Sequence, residues 1–157
     1  MHSLLKRFTF TPMPSSAPKY IYKIIPHSSV DPRFTFPVPI PASHTFLTPI
    51  DLQDRFIHFS AAERIPTTLN LYFNDVPSVT ILRIESERIG AWKKLEWLDD
   101  YRLAHATPVP LEGEHVESFR EVHKKASSTS GTAEKQAAGG GRWEDALQAD
   151  EVKGWLL

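Results

Sequence analysis

The 157-residue chain contains no cysteine. That excludes a disulfide framework, a thiolate metal site and a cysteine nucleophile, and it suits a reducing compartment. Glycine is scarce. Of seven glycines, only Gly90 and Gly113 precede residue 131. A G-x-G-x-x-G turn or a Walker phosphate loop needs closely spaced glycines, and neither pattern occurs. A nucleotide held by this protein is therefore held without a glycine-rich cradle. No apolar run approaches the roughly 20 residues of a membrane-spanning helix. There is no H-E-x-x-H, and Ser60 is not framed by G-x-S-x-G. Neither sign of charge dominates: 18 basic against 19 acidic residues leave a formal charge of −1. No global electrostatic argument favours nucleic acid or an acidic membrane as a partner. A small-molecule ligand is the expected partner; nothing in the sequence indicates the oligomeric state.

What is present is a globular composition, 41% hydrophobic and 11% aromatic, in a length suited to one domain with tails. The opening "MHSLLKRFTF" carries Lys6 and Arg7, and no acidic residue occurs before Asp31. Such an opening reads as a frayed tail of a cytoplasmic protein or as a mitochondrial presequence. We expect a flexible tail over 1–18, a single α+β domain over 19–125, a flexible linker over 126–141 and a terminal helix over 142–157 docking on the domain.

Within the domain, "YIYKIIP" (20–26) is aromatic and β-branched and predicts a strand ended by Pro26. Prolines at 32, 37, 39, 41 and 49 exclude a helix or central strand and predict a long surface connection. "SVTILRIES" (78–86) predicts a strand buried on both faces. "SERIGA" predicts a short turn, with Gly90 as a helix stop. "KLEWLDDYRLAH" predicts one or two short strands joined near Asp99–Asp100, and a last strand is expected around 116–122. "SSTSGTAEKQAAGGG" is a linker by composition. In "RWEDALQADEVKGWLL", Trp143, Leu147 and Val152 share a stripe.

Chemistry concentrates in "DRFIHFSAAERIPTTLNLYF" (54–73), where a strand breaks directly into a helix. Alternation sets Ile57 and Phe59 on one face and Phe56, His58 and Ser60 on the other. Ser60 and Glu63 form a capping-box pattern, "SAAE". Pro66 is tolerated at a first helical turn, and Leu69, Tyr72 and Phe73 are expected to pack on a sheet. Two readings of the break stand side by side. Ser60 is a plain cap and His58 a half-buried strand residue, or the helix end binds phosphate or carboxylate, with both side chains adding hydrogen bonds. A serine-hydrolase pair is disfavoured, because side chains two apart on one strand face stand parallel. His105, in "RLAHATP", is either a loop histidine or a second pocket wall. A metal cluster of His115, Glu117 and Glu96 matches no ligand spacing, so no metal site is expected.

The blocks "YIYKIIP", "DRFIHFSAAERIPTTLNLYF", "ILRIESERIG" and "LEWL" together resemble the domain of unknown function 952 family. The ending "RWEDALQADEVKGWL" resembles the W-x-x-A-L…G-W-L element of fungal members. The family pattern D-G-F-I-H-L-S-x-x-E-Q maps its histidine to His58 and its serine to Ser60, and F-P-H-L-Y-G maps to His105. Arg55 stands at the family glycine and Arg64 at the glutamine. Leu103-Ala104 replaces Phe-Pro, and Ala106-Thr107-Pro108 replaces Leu-Tyr-Gly.

The resemblance implies an ADP-ribosyltransferase-like fold: α+β, with two packed, mostly antiparallel sheets split around an NAD-shaped cleft and a few short helices. NAD is then the implied cofactor or substrate. Ser60, Arg55 and Arg64 would bind phosphate, and His58, His105 and Glu96 would be the catalytic candidates. Two other functions stay open: a retired binding or interaction module, and a small-molecule isomerase or cyclase reusing the cleft.

Overall fold

A computed structural model describes residues 18–92, 95–98, 100–104, 111–124 and 142–156; for 90–92, 95–98 and 100–104 it describes the backbone alone. Residues 1–17 of the tail expected over 1–18, and the linker over 126–141, lie outside the described residues, as does His105.

The β-branched run Ser78–Glu85 forms the central strand β4 of a three-stranded antiparallel sheet. Its neighbours are β1 (Tyr20–Pro26) and β8 (Val116–His123). β1 runs in register from Tyr20 opposite Glu85 to Pro26 opposite Val79. A second three-stranded antiparallel sheet has the order β3 (Phe56–Phe59), β6 (Asp100–Ala104), β5 (Leu95–Leu98). β2 (Thr45–Phe46) and β7 (Leu111–Glu112) form a two-stranded ribbon. The two larger sheets meet at one isolated bridge, where Tyr22 and Ser60 exchange both backbone hydrogen bonds at 2.8 Å. The described residues form an α+β fold with no closed barrel.

Strand alternation sorts the core into two layers. Tyr20, Tyr22 and Ile24 face one way and Ile21 and Ile25 the other; on β4, Val79 and Ile81 oppose Leu82 and Ile84. The first layer packs against Ile65 and Leu69, and against Trp143, Leu147, Val152 and Trp155 from the C-terminal segment. The second layer packs against Ile57 and Phe59 of β3 and Phe46 and Leu111 of the ribbon. Residues 142–156 thus cover one face of the first sheet while β3 covers the other.

Several expectations need correction. The Pro-rich connection ends in a helix, α1 (Pro49–Asp54). Pro49 sits in its first turn, where the missing N–H costs nothing, and Thr48 and Asp51 form the capping box. The box pattern at Ser60 is not used. The backbone there pairs with Tyr22, and the 3₁₀ turn Ala62–Arg64 begins at Ala61 with no side-chain cap. α2 (Ile65–Tyr72) follows with Pro66 in its first turn. Leu69 is buried, but Tyr72 is 68% exposed, so only part of the expected stripe packs. "SERIGAW" is not a turn: it forms α3 (Ser86–Trp92), and Gly90 lies inside it. The terminal segment is two short helices, α4 (Trp143–Ala146) and α5 (Asp150–Lys153), rather than one.

Candidate functional site

Where β3 leaves the first sheet at Ser60, a cavity of about 790 Å³ opens. Its floor is Tyr22 and Ile24 of β1; Phe56, His58 and Ser60 bring in β3 and the break. Arg64, Thr68 and Tyr72 form the helical wall, and Thr48, Ile50 and Asp54 the opposite rim. Such a volume lies in the range of small-molecule sites. Among the described lining residues, Arg64 is the only Lys or Arg and Asp54 the only carboxylate.

His58 is positioned from two directions. Its Nε2 lies 2.9 Å from Asp54 Oδ2, so the carboxylate holds the ring orientation in the manner of a His–Asp pair. Its ring also tilts against Phe56, with centroids 4.4 Å apart. Its backbone N–H donates to Asp51 Oδ1 at 3.1 Å. Asp51 is buried and is the hub of this corner. It also accepts from the Thr48 N–H at 3.0 Å and from Lys23 Nζ at 2.7 Å. Lys23 stands on β1 opposite Leu82, and the ion pair is 3% and 0% exposed. Burial pushes the Lys23 ammonium below the ordinary lysine value, and Asp51 partly restores it. One buried carboxylate thereby ties together β1, the α1 cap and the strand that carries His58.

Ser60 is buried, and its Oγ lies 3.1 Å from Thr68 Oγ1. Thr68 donates its hydroxyl proton to Arg64 O at 3.0 Å, so Ser60 is the donor in the pair, and both residues line the cavity. The structure therefore brings His58, Ser60 and Arg64 together around one space. Arg55 does not join them. It is exposed, absent from the lining, and caps α1 in the left-handed region at φ 62°. Glu96 stands on β5 with backbone register to Arg102, and Arg102 pairs in turn with His58. The three positions thus form one row across the second sheet.

Asp54, Asp51, Lys23 and Thr68 were not expected from sequence. Asp54 lies four residues before His58, but the spacing gives no signal, because a helix end, a left-handed Arg55 and a strand lie between them. The Lys23–Asp51 pair spans 28 residues and left no local trace beyond one lysine in an apolar strand.

Residues 41–117 match the family model described as "Protein of unknown function (DUF952)". No curated protein matches the sequence. The fold is similar to the crystal structure of protein CC0527 from Caulobacter crescentus. The two are 22% identical with a TM-score of 0.52, over 75% of this chain and 98% of that one. The crystal structure of a double mutant of CC0527 gives 23% identity and a TM-score of 0.51 over the same shares.

Proposed function

We propose that the cavity beside His58 binds NAD or a related phosphorylated nucleotide, as an ADP-ribosyltransferase-like domain would. The observation that supports this most is the convergence of an Asp-held imidazole and one arginine on a partly aromatic hollow. In this reading Arg64 clamps a phosphate by paired N–H donors. His58, oriented by Asp54, bonds a ribose hydroxyl. Phe56 and Tyr72 offer ring faces to the base. Cleavage at the nicotinamide bond would pass through an oxocarbenium-like state, which a carboxylate stabilises; Glu96, in the row of His58, is the candidate, with His105 as a further wall.

A second reading, binding without turnover, is favoured by a specific observation. Among the described lining residues a pyrophosphate would face a single lysine or arginine, Arg64, and Ala106-Thr107-Pro108 lacks the tyrosine and glycine of the resembled pattern.

Thermal-shift titration with NAD, ADP-ribose and a panel of apolar metabolites tests both. Stabilisation by ADP-ribose, lost in His58→Ala and Arg64→Ala, is expected, and nicotinamide release decides between turnover and binding alone. Stabilisation by apolar metabolites and not by either nucleotide would overturn the nucleotide reading.

A further inference from the structure

At the far end of the first sheet, three strands end together. The His27 N–H donates to Ser78 O at 3.2 Å, just past β1, and Ser78 at the start of β4 pairs with His123 at the end of β8. His27, Ser78 and His123 therefore form one row across the sheet. Outer strands two apart stand about 10 Å from each other, too far for small side chains to meet. Serine in the middle leaves room for both imidazoles to lean over it, and their ring centroids are 5.0 Å apart. Glu121 lies two residues before His123 on β8, so strand alternation returns its carboxylate to the same face.

The three side chains converge. His27 Nε2 is 3.1 Å from Glu121 Oε1, and His123 Nε2 is 3.9 Å from Glu121 Oε2. One ligating atom from each residue lies within 4.8 Å of the others. His27 Nε2 is shielded from solvent yet makes no hydrogen bond of acceptable geometry, despite its distance from Glu121. The other ring nitrogens are held: His27 Nδ1 lies 2.7 Å from Ser29 Oγ, and His123 Nδ1 lies 2.6 Å from Ser78 Oγ. With Ser78 Oγ accepting its Nδ1–H, His123 keeps the Nε2 lone pair free, which is how histidine ligands are oriented around metals. His27 Nδ1 accepts the Ser29 backbone N–H at 3.1 Å, so metal binding at its Nε2 would move the ring proton to Nδ1, where Ser29 Oγ stands ready to accept it.

We propose that His27, Glu121 and His123 bind one divalent transition metal of the zinc class. Two imidazoles and a carboxylate suit zinc, cobalt, nickel or copper rather than the all-oxygen cations calcium and magnesium. Tetrahedral zinc brings its ligand atoms to about 3.3 Å from one another, so the present spacing needs only small side-chain rotations. Glu121 and His123 are each about half exposed, which leaves the fourth position to water. None of the three residues lines the cavity beside His58, so this site is independent of the nucleotide reading.

The test uses the untagged full chain, stripped with chelator and titrated with zinc against a chromogenic indicator, and with cobalt by visible absorption. One equivalent of zinc and an intense tetrahedral cobalt spectrum are expected. His27→Gln and His123→Gln should each weaken binding on the order of 100-fold with circular dichroism unchanged, and Ser78→Ala about 10-fold. His123 is exposed, so its variant folds and keeps the test decisive. Absence of stoichiometric zinc binding by the parent chain would overturn the proposal, as would undiminished binding by the doubly substituted His27→Gln/His123→Gln protein.

Discussion

The side chain that decides the geometry beside the cavity is not one that touches a ligand. Asp51 accepts hydrogen bonds from the His58 and Thr48 backbones and faces Lys23 inside the protein. Removing one member of a buried pair leaves the other charge uncompensated. Asp51→Ala should therefore lower unfolding stability by about 3–5 kcal/mol, read by urea titration. Replacing both members with apolar residues should cost far less, since the desolvation penalty disappears along with the attraction. If the single and double replacements cost the same, the hub is ordinary packing. Arg55 offers a second test at this scale. Its left-handed conformation (φ 62°) strains any residue with a Cβ, and glycine offsets part of the relief through its larger unfolded-state entropy. Arg55→Gly should stabilise by roughly 0.5 kcal/mol and Arg55→Val should destabilise. A loss on Arg55→Gly would mean that the arginine side chain makes a contribution of its own.

At the scale of elements, the regular strands were legible and the chain's irregular joints were not. β1 and β4 are legible as β-branched runs, β8 is expected only as a last strand around 116–122, and the β5–β6 pair is legible in two short stretches around Asp99–Asp100. Helix α1 is hard to read from sequence because Pro49 closes a run of prolines that break regular structure, although "TPID" is a sound helix start with proline in the first turn. The "SAAE" pattern misled for the opposite reason: its local signal was real, but Ser60 is bound by Tyr22 from a distant strand. His58, Ser60 and Arg64 could be nominated because they crowd one short segment. Lys23, Asp51 and the His27–Glu121–His123 group needed the register of strands far apart in sequence. The Pro-rich connection seats against the ribbon at Gly113, where an added Cβ would collide with the Pro41 carbonyl oxygen and press on Ile40. The obstacle is backbone and cannot rotate away. Gly113→Ala should therefore lower the thermal midpoint, by about 1–3 kcal/mol in stability, and an unchanged midpoint would show the connection to be loosely held.

Over the whole molecule, the C-terminal segment is tied to the sheet through Arg83. Its Nη1 donates to Trp155 O at 2.7 Å and its Nη2 to Glu117 Oε1 at 3.1 Å. The guanidinium also lies over the Tyr20 ring, 4.2 Å from the centroid. Hydrogen bonding from Arg83, more than any other influence, holds the Glu117 carboxyl below its ordinary value of 4.5. A carboxylate with a depressed folded value contributes stability above its unfolded value and loses it as pH falls through that value and below. Glu117→Gln should thus cost ~1 kcal/mol or less at pH 7 and progressively less as pH falls below the ordinary carboxylate value, compared by urea unfolding at pH 7 and at acid pH. An equal loss at the two pH values would assign the effect to packing. Trp155 meets Tyr22, a floor residue of the cavity, edge to face at 5.4 Å, so the end of the described chain braces the site from behind.

The central claim is that the hollow beside His58 is a nucleotide site. The most direct measurement is nitrogen-15 NMR of the histidine side chains and backbone amides while ADP-ribose is added to the full chain. Saturable shifts at the His58 ring and at the Ser60 and Thr68 amides are predicted. Shifts confined to residues outside the cavity, or none at millimolar ligand, would contradict it.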